Sequence, residues 1–457
     1  AAAGAKVLGS TQGLGVQLWQ TDGSVEEALT TFSGYDFVEY VEPNYTLSID
    51  AIPNDPSLSA LWGLNNTGQT GGTVDADIDA PEAWDIETGT NVVVGVIDTG
   101  VDYTHPDLVQ NMWVNAGEIA NNGIDDDGNG YVDDYHGYDF ANNDGDPWDD
   151  HYHGTHVAGT IAGDGDNGIG VAGVSWSSEI MAVKFLNQNG SGSLFNAVRA
   201  VEYATAMGAQ VTNNSWGGGG YSQSLYDAIS AAGNAGSLFV AAAGNSGTNN
   251  DVSPSYPASY GLDNIIAVAA TDHNDNKAGF SQYGATTVDL GAPGVSVYST
   301  MPGNSYGTLN GTSMATPHVA GAVSLLWAHA PTLTAAEVKD TLLSTVDPLA
   351  ALDGKTVSGG RLNVHEALQA TPGGPGGPGG LTITPPVGST DFTLTVTATA
   401  TEGANGDTAS VSDTITVDVN TVPVPSDDAV TVSEDVPTVI DVLANDTDPD
   451  GDTLSVS

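Results

Sequence analysis

Residues 92–100 read Val-Val-Val-Gly-Val-Ile-Asp-Thr-Gly, an apolar run that stops at an acid and a turn. A strand with no polar face is buried on both sides, as in parallel sheets covered by helices, whereas a half-solvated strand alternates. The same pattern recurs through 52–370. Glu179–Leu186, Gln210–Ser215 and Ser237–Ala243 are further strand-like runs, and Gly154–Gly163, Leu194–Met207 and Leu225–Gly233 carry helical periodicity. Strands alternating with helices predict an α/β fold with a mostly parallel sheet flanked by helices. In such sheets the crevice outside the strand carboxyl ends holds the chemistry, and Asp98 stands there. Taken alone, Asp98 reads as readily as a helix cap or turn residue.

Outward from this block the composition changes. Residues 1–50 form a small unit with strand-like runs at 15–19 and 37–41 around a polar helical stretch, Ser24–Thr31, which predicts a small α+β domain. Residues 371–381 open with Thr-Pro-Gly-Gly-Pro-Gly-Gly and read as a linker. Beyond it, 382–422 form a β-rich fragment: Phe392–Thr401 and Ser410–Val419 alternate in period two, as half-buried antiparallel strands do. Residues 426–457 are expected to be a truncated repeat.

Only seven Lys and Arg stand against 57 Asp and Glu, a formal charge of -50. Phosphate backbones and anionic membrane surfaces need clustered cations, so nucleic-acid and membrane partners are disfavoured. With no Cys, disulfides, cysteine-zinc sites and thiol catalysis are excluded. No apolar run approaches the roughly 18 residues of a membrane span. The sequence opens Ala-Ala-Ala-Gly without Met, so any signal peptide is expected to have been removed or to lie outside it. An acidic surface suits high salt and hard cations.

Two further segments bear chemistry. His153-Gly-Thr-His-Val-Ala-Gly159 brings a His into a helix; its two His residues could be metal ligands or a packed pair. Gly311-Thr-Ser-Met-Ala-Thr-Pro-His-Val-Ala-Gly321 sets a serine at a helix mouth, ordinarily an N-cap. Together with Asp98 they supply an acid, a base and a nucleophile. In order and motif these segments, over roughly 50–370, resemble the subtilases, the subtilisin-like serine peptidases. The resemblance implies Ser313 as nucleophile, His153 as general base and Asp98 as the group that orients it, with His156 a packed second His. Ala241-Ala-Ala-Gly-Asn-Ser-Gly247 resembles the family's oxyanion segment and implies that Asn245 donates to the oxyanion beside the Ser313 amide. A sedolisin-type acid peptidase would need Glu where His153 stands.

By the same resemblance Gly190, Ser191 and Gly192, with the segment Asn214-Ser-Trp-Gly-Gly218, would sandwich a peptide as an added strand. Ser215, Trp216, Gly217, Ala242, Ala243 and Gly244 would line the primary specificity pocket, with Ser255 near its floor. These walls are mostly small and uncharged, which favours a moderately large uncharged or aromatic side chain with loose selectivity; Trp216 replaces a commoner aliphatic residue.

The run Asp125-Asp-Asp-Gly-Asn-Gly-Tyr-Val-Asp133 is legible without the family. Asp125, Asp127, Asn129 and Asp133 fall at positions 1, 3, 5 and 9 of an EF-hand-like calcium loop, Tyr131 at 7 and Gly130 at 6. His136 occupies position 12, where a Glu is expected; the alternative is an acidic turn. Asp139, Asn142, Asp144 and Asp146 resemble the calcium loop of thermitase-like subtilases. Asp55, Asp107 and Asn167, with the carbonyls of Ile169 and Val171, resemble the family's strong calcium site. Structural calcium (Ca2+) is therefore the expected cofactor.

Val38-Glu-Tyr-Val-Glu-Pro-Asn-Tyr45 resembles the close of a subtilase propeptide, which implies that residues 1–50 inhibit the enzyme until removed. The C-terminal pieces resemble cadherin-like repeats of bacterial surface and secreted proteins. The expectation is a secreted, extracellular, monomeric serine endopeptidase of broad specificity acting on proteins and peptides. The alternative is a calcium-stiffened surface adhesin with an inactive protease-like scaffold.

Overall fold

The computed structural model describes residues 52–371 except Asn91, and separately 6–10, 17–20, 32, 41, 392–401 and 408–417. The run at 92–98 becomes strand β1 (Val93–Asp98), with every residue after the first buried. Along it the side chains alternate between two cores. Val94 and Val96 enter one apolar cluster and Ile97 the other, and Ile180/Ala182 and Met181/Val183 divide in the same way. That division explains why the strand has no polar face.

β1 is joined by β2 (Gly137–Asp139), β3 (Glu179–Lys184), β4 (Val211–Asn214), β5 (Leu238–Ala242), β6 (Ile265–Thr271) and β7 (Leu290–Pro293). A hairpin of β8 (Val297–Met301) and β9 (Ser305–Leu309) follows, and two short strands, β10 (Asp347–Pro348) and β11 (Gly360–Arg361), complete one edge. The nine-stranded sheet runs β2-β3-β1-β4-β5-β6-β7-β11-β10, and only the β10–β11 pair is antiparallel. β1 has β3 on one side and β4 on the other, so the chain changes direction across the sheet there. Such a switch point opens a crevice at the strand carboxyl end, where Asp98 lies.

Helices α1 (His153–Ala162) and α4 (Thr312–His329) pack on one face, and α2 (Leu194–Ala206) and α3 (Gln223–Asn234) on the other. Ser193 and Ser222 cap α2 and α3 through the amides of Asn196 and Leu225. α4 is buried over nearly its whole length and contains Pro317. A proline there cannot bond the carbonyl four residues back, that of Ser313. The Ser215 hydroxyl takes that acceptor instead, at 2.8 Å. Two further helices, α5 (Ala335–Ser344) and α6 (Val364–Ala370), close the domain.

By itself, the leading region contributes antiparallel strands Lys6–Ser10 and Gln17–Gln20, Lys6 opposite Gln20. The helical stretch expected at 24–31 and nearly all of the run at 37–41 fall outside the described residues. The trailing unit contributes the antiparallel pair Phe392–Thr401 and Thr408–Val417. The expected linker after Thr371 and the repeat at 426–457 also lie outside them.

Candidate active site

Asp98 ends β1 and is fully buried. Its Oδ1 accepts the Thr99 amide and the His153 Nδ1, each at 2.8 Å. Its Oδ2 has no partner among the described residues. His153 opens α1, and three local features hold it there. Asp149 accepts the His151 and Tyr152 amides at 3.0 and 2.9 Å, and its second oxygen accepts the Thr155 amide and hydroxyl. Gly154 donates to the Thr99 hydroxyl at 2.9 Å. A Cβ at position 154 would lie 2.1 Å from the Gly100 carbonyl oxygen, so only glycine lets α1 descend onto the β1 turn.

Burial alone would pull the His153 pKa down. The Asp98 charge and hydrogen bond, helped by Asp149, outweigh it and hold the imidazole above the ordinary His range. His156 is the opposite case: fully buried, its Nε2 donating to the Val297 carbonyl, it is pushed down to about 4 by burial. It stays neutral and packed.

Ser313 sits in the first turn of α4. Its hydroxyl donates to the Ser215 carbonyl at 3.0 Å, the reciprocal of the Ser215–Ser313 bond, and makes no hydrogen bond to His153 in this state. Asn245 follows β5. Its Oδ1 accepts the Thr312 amide at 2.8 Å and the Thr312 hydroxyl at 3.1 Å, while that hydroxyl accepts the Gly244 amide. With the amide oxygen held, Nδ2 is the free donor end.

Ser313 and Asn245 stand at a cavity of about 350 Å³. Ser215, Trp216, Gly217, Ala242, Gly244 and Ser255 line it, and no Asp, Glu, Lys or Arg does. Ala243 does not: it is fully buried and packs on Ala269 and Val288, because neighbouring residues of an extended chain face opposite ways. Trp216 lies edge-on to Phe185 and Phe239. Gly218, from the segment read as peptide-binding, also lines the cavity, as does Gln282, which sequence reading missed. Gly190, Ser191 and Gly192 form an exposed turn closed by the Asn187 amide on the Ser191 carbonyl.

Residues 89–368 match the subtilase family. The chain belongs to the subtilase family. A thermophilic serine proteinase from Bacillus sp. (strain AK1) is 38% identical over 348 residues, 76% of each chain. Thermitase from Thermoactinomyces vulgaris is 39% identical, covering 69% of this chain and 99% of its own. A solved protease structure from Pseudoalteromonas arctica PAMC 21717 aligns with a TM-score of 0.57 at 30% identity, over 70% of this chain and 99% of its own. Residues 420–457 match the bacterial Ig domain. The protein is thus a subtilisin-like serine peptidase carrying a trailing Ig-type segment.

Around this subtilase site the acidic residues divide into three groups. Asp55 and Asp107 are buried. Asp107 accepts the Asn167 side-chain amide, the Val171 amide and the Tyr306 hydroxyl. Asp55 Oδ2 accepts the Asp166 amide, and its Oδ1 is buried without a partner among the described residues. Burial, then the Asp107 charge, push the Asp55 pKa up against the pull of the Asp166 amide. In 139–146, Asp139 turns inward on Ala141 and Asn142, while Asp144 and Asp146 cap local amides. In 125–133, Asp133 accepts the Asn122 and Gly123 amides and faces that turn, and His136 bonds the Trp113 carbonyl. Among the described residues, the carboxylates that gather within 4.8 Å are those of Asp125, Asp127 and Glu118, which no sequence pattern marked.

Proposed function

We propose that this subtilase is a secreted endopeptidase that cleaves proteins with broad specificity through Ser313, His153 and Asp98, with Asn245 in the oxyanion site. The carrying observation is the 2.8 Å His153–Asp98 bond together with a cavity lined by both Ser313 and Asn245. In this reading the Ser313 hydroxyl leaves the Ser215 carbonyl for His153 Nε2 when substrate arrives; such bonds are often loose before then. Ser313 Oγ then attacks the peptide carbonyl as His153 takes its proton. Asp98 fixes the Nδ1 tautomer and stabilises the imidazolium. The oxyanion rests between the Ser313 amide and Asn245 Nδ2, and Thr312 holds Asn245 so that this donor needs no reorganisation. His153 gives its proton to the leaving amine, and water repeats the cycle to free Ser313.

Main-chain pairing along 190–192 and 214–218 would bind peptide with little regard to sequence, and the cavity would set the preference before the scissile bond. Calcium fits Asp55, Asp107, Asn167 and the carbonyls of Ile169 and Val171. Among the described residues the Asp55 Oδ1 lacks a partner, and neither carbonyl accepts a backbone hydrogen bond. A bound ion would offset the paired carboxylates and pin the 164–171 loop. Export is supported by the acidic, cysteine-free composition and the Ig-type segment, and residues 1–50 are read as the removable inhibitor. Ser313→Ala should abolish turnover of casein and leave the precursor uncut; full activity in that variant would end the proposal. Asn245→Leu should lower kcat by roughly 10²–10³ with KM little changed, the loss that follows removal of one such donor from subtilisin itself.

A further inference from the structure

Glu118 lies seven residues ahead of the loop that reads as EF-hand-like, yet it is only 6% exposed. Its Oε1 accepts the Asp126 amide at 2.8 Å and the Asp127 amide at 3.4 Å; its Oε2 is buried with no partner among the described residues. Its carboxylate comes within 4.8 Å of those of Asp125 and Asp127, and no ion pair among the described residues reaches the three. A buried carboxylate oxygen with neither donor nor cation is costly, and two more acids beside it raise that cost. The position-9 and position-12 residues are engaged elsewhere, Asp133 with the 122–123 amides and His136 with Trp113. We infer that Glu118, Asp125 and Asp127 hold a calcium ion, with Glu118 supplying from upstream the carboxylate that the loop lacks at its end. An all-oxygen, irregular donor set suits calcium better than the strict octahedron of magnesium. The inference rests on the calcium reading above and is independent of the triad.

The full chain carrying Ser313→Ala, stripped of metal, is titrated with calcium by calorimetry. Adding Glu118→Gln should remove one equivalent of bound calcium, as should Asp127→Asn, whereas Asp133→Asn should keep it. Unchanged stoichiometry and affinity in both Glu118→Gln and Asp127→Asn would overturn the site while leaving calcium elsewhere intact. A parent that binds no calcium would overturn the calcium reading as a whole. Circular dichroism of each variant separates lost binding from lost fold.

A second observation concerns the cavity wall. The Ala243 carbonyl accepts Asn250 Nδ2 at 3.0 Å, and Asn250 Oδ1 accepts Gln282 Nε2 at 2.6 Å. A carbonyl can only accept, so this relay fixes both amides and leaves Gln282 Oε1 as the free end. Gln282 lines the cavity, and a Cβ on Gly244 would fall 1.9 Å from that oxygen and 3.3 Å from Ser255 Oγ. The geometry points to Gln282 as a specificity residue that favours, before the scissile bond, a side chain ending in a hydrogen-bond donor. This rests on the peptidase reading. In matched peptides differing only at that residue, tyrosine should exceed phenylalanine in kcat/KM by roughly two- to tenfold, the range of one neutral hydrogen bond. Gln282→Met should erase the ratio. Phenylalanine cleaved as well as tyrosine by the unaltered enzyme, or a ratio that survives Gln282→Met, would overturn the assignment. Absence of cleavage of either peptide would instead sink the peptidase reading.

Discussion

His153 must be neutral to take the proton of Ser313, and its environment holds the charged form. Asp98 and Asp149 outweigh burial and raise its pKa above the ordinary value of about 6.5, so kcat/KM should climb with pH through a midpoint above that value. Asp98→Asn removes the anion, and the midpoint should then fall as the rate drops; a midpoint unmoved by that change would contradict the assigned cause. At this scale the sequence is informative where chemistry demands contiguous residues. The acid at the strand end, His153 at the mouth of α1 and Ser313 at that of α4 were all legible because each motif is also a local structure. Asp149, Glu118 and Gln282 were not. Asp149 and Gln282 reach partners that only the fold brings near: Thr99, 50 residues from Asp149, and Asn250, 32 residues from Gln282. Glu118 stands ahead of the loop pattern that sequence spacing marks. Asp133 fits the loop pattern by spacing, yet its carboxylate closes the neighbouring turn.

Between elements, the acids crowd around a single cation. Arg361 on β11 is buried and paired with Asp275 and Asp347. Nearby, Asp79 accepts the side-chain amide of Asn363, the cap of α6, and so ties the start of the domain to its last helix. Burial, then the charges of Asp77 and Asp347, push Asp79 up to about 7, although Arg361 pulls it down. The folded value lies above the unfolded one of about 3.9, so the fold disfavours ionised Asp79. The cost to stability grows as pH rises from about 4 to 7 and is constant above. In the Ser313→Ala chain, Asp79→Asn should raise Tm by an increment that follows this curve; an increment independent of pH would contradict the origin assigned to it. The strands at 93–98, 179–184 and 238–242 were readable because burial on both faces leaves an apolar run, yet the equally buried β6 and β7 were passed over. The three-residue β2 at the sheet edge and the β8–β9 hairpin were missed, since short or half-exposed strands leave little periodicity. Hydrogen bonds from Ser299 and Thr300 of that hairpin to the carbonyls of His156 and Thr155 nonetheless support α1.

Across the whole molecule, a formal charge of -50 sets the folded surface against itself, and the proposed calcium ligands include clustered carboxylates. A ligand that binds only the native state stabilises it by about 2.7 kcal/mol at a hundredfold excess over Kd. Chelation should therefore speed thermal inactivation and autolysis strongly while leaving the initial rate in the cold. Sodium chloride should restore only the part due to exposed charges, which are screened over about 8–10 Å at physiological ionic strength. Equal inactivation half-lives in EDTA, EDTA with high salt, and calcium would mean that the acidic loops are solvated turns. The central claim is that Ser313, served by His153 and Asp98, is the nucleophile of a working peptidase, and fluorophosphonate labelling tests it most directly. Casein hydrolysis should stop as one equivalent of label is taken up, and mass spectrometry should find that label on Ser313. Label on another residue, or undiminished casein hydrolysis with Ser313 fully modified, would contradict the account.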